Sequence, residues 1–332
     1  MKTLIQRLVE TISPSGYEAA IREVIKAEIA AHVDDIQVDA LGNLIAHKGT
    51  KSKDGKRIML AAHMDEIGVM ATHVDEKGFV RFTSIGGVYP VYCPGGRVMF
   101  TNGTVGTIGR ERPEDPAKVQ SLEHLFIDVG ATSSKNCPVK IGDAAGFQRP
   151  FVDLGDRLMA KSMDDRVGVA VLIETLRQIK QTPNELVFVF SVQEEVGCRG
   201  ATTAAYAIDP DIGISSDVTL TGDSPKSIKM DVSLGKGAAI KVRDGGMLSD
   251  PRLVNCMVNT AENTRIPYQL EVLEGGTTDA RSMQISRAGM PAGCISIPCR
   301  YVHSPSEMVD YNDVLNTVKL FVALLSQPVC LE

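Results

Sequence analysis

Apolar residues recur at helical spacing over two stretches near the start, about Leu4 to Thr11 and about Tyr17 to Ala31, which predicts two amphipathic helices. Ser13-Pro14-Ser15-Gly16 between them is a breaker cluster placed to cap the second helix. Arg57–Ala62 is then a continuous apolar run of strand length, ending at His63. A run apolar on both faces belongs inside a sheet covered by helices on each side. From about Gly68 to Met159 the texture changes. Short β-type runs (Gly78–Phe82, Arg97–Phe100, Thr104–Ile108 and Leu125–Val129) alternate with Gly and Pro turns there, and no helix beyond about three turns is predicted.

After this stretch the α/β alternation resumes. The pattern predicts helices at Asp165–Ile179, Ala201–Ala207, Pro251–Thr264 and Asp310–Leu325. Strands are predicted at Glu185–Val192, Ile212–Ser216, Ala238–Val242, Tyr268–Leu273 and Ala292–Ile297. The parse is an α/β core, residues 1–67 and 160–332, interrupted by a small all-β unit at residues 68–159.

Composition narrows the function more than the fold. Apolar residues at 43 % and charged residues at 23 % are ordinary for a globular chain. Trp is absent and aromatics are few, so a base-stacking platform or a sugar-binding groove gains no support. A formal charge of −6 with no basic run argues against phosphate-backbone binding, so no nucleic-acid partner is expected. Gln6, Arg7 and Glu10 interrupt the opening segment, which reads as a helix rather than a signal peptide. No apolar run reaches bilayer-spanning length, and the expectation is a cytoplasmic protein without membrane contact. Cys93, Cys137, Cys198, Cys256, Cys294, Cys299 and Cys330 form no C-x-x-C pair and read as buried small hydrophobes in a reducing compartment.

Candidate chemistry collects just past the strand ends, where open α/β sheets hold their ligands. His63 ends the first apolar run, and Asp65 two residues on is placed to hold one imidazole nitrogen while the other binds a metal. The alternative is a His that merely caps the sheet. Lys161-Ser162-Met163-Asp164-Asp165-Arg166 precedes a long helix, where one Asp suffices as cap and first-turn acid and the second is surplus. Asp164, just outside the helix, is placed to bridge two cations, and Arg166 to support the site or pair with an acid. Gln193-Glu194-Glu195-Val196-Gly197 leaves the apolar strand Leu186–Phe190, and neighbouring strand residues face opposite ways. The two acids therefore take different jobs, one binding metal and the other facing the cavity as a proton carrier. Asp217, in Ser215-Ser216-Asp217-Val218-Thr219, reads alone as a turn residue. His303, in Arg300-Tyr301-Val302-His303-Ser304-Pro305, has little meaning by itself.

Together the five strand-end coincidences make one assembly. Asp164, Glu195 and Asp217 carry three negative charges and a hydroxide supplies a fourth, which balances two zinc ions. With Asp164 shared, one ion takes His63 and Asp217 and the other takes Glu195 and His303, leaving each an open position as in catalytic zinc. Nitrogen and oxygen donors without Cys also admit cobalt or manganese.

The ordered set A-H-M-D-E-I-G, S-M-D-D-R, Q-E-E-V-G, S-S-D-V-T and R-Y-V-H-S resembles the TET-type aminopeptidases. Their metallopeptidase family also holds glutamyl and deblocking aminopeptidases, some named endoglucanase or cellulase M. The likeness spans nearly the whole chain, the β insertion included. It implies a mixed-sheet, three-layer, zinc-exopeptidase-like α/β domain with a barrel-like dimerisation insert. It implies His63, Asp164, Glu195, Asp217 and His303 as ligands of two divalent ions, zinc or cobalt, with Asp164 bridging. By the same resemblance Glu194 is the general base, Asp65 is the partner of His63, and the Asp164–Asp165 peptide bond is cis. Gly275-Gly276-Thr277-Thr278-Asp279-Ala280 corresponds to the family's Gly-Gly-Thr-Asp-Ala with one extra Thr. Gly275 and Gly276 then line the substrate cavity, or the segment is simply a turn and N-cap. The implied activity is removal of N-terminal residues from peptides, by dimers that assemble into a dodecameric shell. Competing readings are a di-zinc deacylase or amidase on N-acyl amino acids, a glycosidase and a non-catalytic peptide-binding shell. The glycosidase needs two free carboxylates, which the metals would claim.

Overall fold

The computed structural model describes residues 1–112, 115 and 121–331. One mixed sheet sets side by side, in this order, Asp35–Val38, Leu44–Lys48, Glu185–Ser191, Arg57–His63, Ile212–Thr219, Ala292–Arg300, Glu307–Asp310, Arg157–Ala160 and Val152–Asp153. The central strands, from Glu185–Ser191 through Ala292–Arg300, are parallel to one another. Ala238–Arg243 branches off antiparallel to Ala292–Arg300 and pairs in parallel with Tyr268–Val272.

The apolar runs form strands here because both of their faces are used. Ile58, Leu60 and Ala62 enter one hydrophobic core, while Met59 and Ala61 enter another on the opposite face. The strand Glu185–Ser191 divides likewise, with Leu186, Phe188 and Phe190 on one side and Val187 and Val189 on the other. Helices Lys2–Glu10, Ala19–Ile29, Met163–Gln178, Pro251–Thr264 and Tyr311–Leu325 complete the first core. Helices Arg199–Ile208 and Asp279–Gln284 complete the second, which gives three layers.

A second unit is a closed six-stranded barrel. Its strands, in order around the barrel, are Gly68–Val74, Val80–Ile85, Leu125–Asp128, Val105–Arg110, Arg97–Phe100 and Ala144–Phe147. Val69, Phe82, Val98, Phe100 and Ile127 give it a core of its own. Among the described residues its helical content is limited to the short 3-10 turns Pro90–Tyr92, Leu122–His124 and Ser134–Asn136.

Several expectations need correcting. The second helix begins at Ala19 behind Glu18, whose side chain makes no cap; the Ser13 hydroxyl caps it from outside by accepting the Ile21 N–H at 3.3 Å. Ser13-Pro14-Ser15-Gly16 also reaches the site, as described below. The pair Asp35–Val38 and Leu44–Lys48 was not predicted, because its outer member lies at the sheet edge largely in solvent and has no continuous apolar face. Cys93, Cys198, Cys294 and Cys299 are buried as expected, but Cys137 and Cys256 are only half-buried and Cys330 is exposed. No helix among the described residues is long and apolar enough to cross a membrane.

Candidate active site

In the two adjacent parallel strands Arg57–His63 and Glu185–Ser191, His63 stands opposite Ser191. The chain therefore leaves both strands at the same end of the sheet, which brings His63 beside Glu194 and Glu195. Asp217 lies near the end of the next strand, opposite Ser296, and His303 follows the strand beyond that. Asp164 and Asp165 sit at the head of the helix Met163–Gln178 with non-helical dihedrals, and the peptide bond between them is cis.

Asp164 stands between the two imidazoles. Its Oδ1 is 3.0 Å from His63 Nε2 and its Oδ2 is 3.3 Å from His303 Nε2. His303 Nε2 is also 3.2 Å from Glu195 Oε2. Among the described residues, His63, Asp164 and Glu195 offer ligand atoms within 4.8 Å of one another, and so do His63, Asp165 and Asp217. Glu194 stands a step back, with Oε2 4.0 Å from His63 Nε2. All these side chains except Asp165 border a cavity of about 920 Å³, and Gly275 and Gly276 border it too. The neighbouring Thr278 also caps the helix Asp279–Gln284 by accepting from the Ala280 N–H.

Two buried carboxylates position this set through the backbone. Asp65 accepts the N–H of Glu194 at 3.0 Å and of Glu195 at 3.2 Å, and the Ser15 hydroxyl donates to it at 2.6 Å. Its Oδ1 is 3.4 Å from His63 Nδ1, which also lies 3.2 Å from the Asp65 carbonyl oxygen. Glu307 is the counterpart that sequence reasoning missed: it accepts the N–H groups of Asp164 and His303. Backbone partners leave no mark in a sequence, and only its place four residues past His303 hinted at it. Arg166 donates to the Leu8 and Thr11 carbonyls, while Glu66 pairs with Lys161 and accepts the Ser13 N–H. Gly87, from the barrel side, was also missed: a Cβ there would lie 2.4 Å from His303 Nδ1, so only glycine lets the loop pack on that ring.

The electrostatics of these groups follow from their burial and from one another. Burial raises the Glu194 pKa well above the carboxylate range, and the charges of Asp217, Asp279 and Glu195 add to it. Burial and then neighbouring carboxylates raise Asp165 and Asp217 likewise, and burial raises Glu195. Burial opposes protonation of the imidazoles, yet contacts with Asp164 and Asp65 hold His63 well above its usual range. Asp164 and Glu195 similarly push His303 up to about 12. Asp164 is driven low in return, since the two imidazoles outweigh its burial. Five carboxyls thus crowd two imidazoles, and Glu195 Oε1 and Asp165 Oδ2 are buried with no protein partner. Bare oxygens, surplus negative charge and imidazole nitrogens are a donor set that fits divalent cations.

A three-layer α/β sheet with such a site at its strand ends, joined to a β-barrel, is the architecture of the solved aminopeptidases it is similar to. The chain matches the family described as M42 glutamyl aminopeptidase over residues 42–320. The lysyl aminopeptidase of Pyrococcus furiosus is 36 % identical to it, over 98 % of this chain and 96 % of that one. An aminopeptidase of Desulfurococcus kamchatkensis superposes with a TM-score of 0.93 at 40 % identity, covering 98 % of this chain and 94 % of its own. The TET1 peptidase of Pyrococcus horikoshii, described as assembling into a tetrahedron or a large octahedral shell, gives 0.88 at 33 % identity, covering 97 % and 98 %. The chain belongs to the M42 glutamyl aminopeptidase family and is a peptide hydrolase.

Proposed function

We propose that this peptidase removes residues one at a time from free peptide N-termini, at a site that holds two divalent cations. The observation that carries the reading is Asp164 between His63 and His303, one carboxylate oxygen toward each ring. Asp164 would be shared, His63 and Asp217 completing one ligand set and Glu195 and His303 the other. Zinc suits these donors, with cobalt as the alternative. When bound, such ions polarise the scissile carbonyl and acidify a water molecule.

The chain's own residues supply the rest. Glu194 borders the cavity and takes the proton of the attacking water, then passes it to the leaving amide nitrogen. Asp65 fixes the Glu194–Glu195 backbone and orients the His63 ring. Gly275 leaves open space toward the substrate's backbone.

The barrel Gly68–Phe147 is the proposed surface on which two copies pair; the strands Val152–Asp153 and Arg157–Ala160, expected in the same insert, join the main sheet instead. Dimers of this kind would build a dodecamer, a reading supported by the tetrahedral assembly of the Pyrococcus horikoshii relative. Seven free cysteines suit the reducing cytoplasm as its location.

Glu194→Gln tests the central role. Turnover should fall by about 10²–10⁴-fold, the usual worth of a positioned base, while both metal ions stay bound. Retention of most activity would place the base elsewhere.

A further inference from the structure

Beside the proposed two-cation set, the described residues hold one more group with donor atoms within 4.8 Å of one another: Glu194, Cys198 and Asp279. The Cys198 thiol donates to Glu194 Oε1 at 3.1 Å. Asp279 heads the helix Asp279–Gln284, and the Ser191 hydroxyl at the end of the strand Glu185–Ser191 donates to its Oδ2. Its other oxygen, Oδ1, is buried without any partner in a residue only 2 % exposed. Asp279 thus keeps one oxygen without a donor in the protein, and its carboxylate, the thiol and the second carboxylate together offer three donors to a cation. A tetrahedral zinc holds sulfur and oxygen ligands roughly 3.5 Å apart, close to the observed thiol–carboxylate spacing. Glu194 and Cys198 both border the large cavity, so an ion can enter and keep a fourth position toward solvent.

We propose that Glu194, Cys198 and Asp279 form a third, inhibitory site for a thiophilic divalent cation such as zinc or cadmium. As the sulfur–metal bond forms, Cys198 releases its proton to solvent, and Glu194 becomes a ligand instead of a proton carrier. The proposed two-cation set contains only nitrogen and oxygen, so the thiolate is what separates the two kinds of site. Zinc and cadmium enter the third one, and the hard cations magnesium and calcium do not. The inhibition rests on Glu194 being the base; the binding does not.

The test uses the full chain loaded with its two ions and titrated with cadmium. Three quantities are followed: ultraviolet thiolate-to-cadmium absorption, metal per chain by elemental analysis, and peptide turnover. The expected result is one further ion per chain, an absorption that saturates with it, and turnover that falls in proportion. Cys198→Ala should lose the absorption and the inhibition, each measured against that variant's own starting activity. Asp279→Asn, which keeps the shape of the side chain, should weaken cadmium binding about 10-fold or more and guards against a folding defect in the first variant. No further ion in the wild type, or the same absorption in Cys198→Ala, would overturn the site. Binding without inhibition would leave the site standing and overturn its inhibitory role, while Glu194 as the base is judged separately by the turnover of Glu194→Gln.

Discussion

Glu307 accepts the backbone N–H of Asp164 at 2.9 Å, and its second oxygen accepts that of His303 at 2.8 Å. One buried side chain therefore sets the spacing of two proposed ligands that lie far apart in the sequence. Glu307→Ala would leave these amides without an acceptor, at a cost of about 1–3 kcal/mol in stability. Metal affinity should fall about 10–100-fold, as for other residues that position ligands. Glu307→Gln keeps one carbonyl acceptor and should fall between wild type and Ala. Competition against a metal-binding dye, paired with thermal melts, checks the order; equal affinities in all three proteins would remove Glu307 from the site.

Arg300 ties the His303 loop to the segment after the strand Ile212–Thr219, donating to both oxygens of Asp223 at 2.9 and 2.8 Å. This pairing holds the Asp223 carboxyl well below its usual range and raises Arg300. Folded Asp223 thus binds its proton less readily than the unfolded chain does. Its contribution is fully present above the ordinary Asp pKa of about 3.9 and is lost as pH falls through the lower folded value. Asp223→Asn should flatten the loss of Tm between about pH 5 and pH 2, by a modest amount because the pair is partly solvent-screened. An unchanged acid limb would show that the pair contributes nothing to stability.

Removing the cations should expose the repulsion among Asp164, Asp165, Glu194, Glu195 and Asp217. Chelated enzyme is expected to be inactive and to melt lower at neutral pH. Zinc or cobalt at 100 times its dissociation constant should restore about 2.7 kcal/mol for each of the two sites. Scanning calorimetry of stripped and refilled protein measures this, and identical melting curves would contradict a resident metal.

The sequence made the centre of the fold legible and its margins obscure, for physical reasons. Ile58–Ala62 and Leu186–Phe190 are apolar on both faces because both faces are covered, and few other structures satisfy such runs. Asp35–Val38 is exposed at a sheet edge and carries no such constraint. His63, Glu194, Glu195 and Asp217 stood out as candidates because they sit on or just past readable strands, and the fold does bring them to one cavity. Asp165 looked like an ordinary first-turn acid, and its Oδ1 does accept the Gly168 N–H at 3.0 Å. The same residue leaves Oδ2 bare inside the site, which no local pattern announces. Glu307, Gly87 and the Cys198–Asp279 pair act across segments remote in sequence, through backbone groups or close approach, and only the folded chain reveals them.

The most direct measurement is release of free amino acids from matched peptides with unblocked and N-acetylated termini, by enzyme stripped with chelator and refilled with zinc or cobalt. The expected result is stepwise release from unblocked peptides only, absent after stripping and restored by metal. Release confined to acylated substrates, or undiminished release without metal, would contradict it.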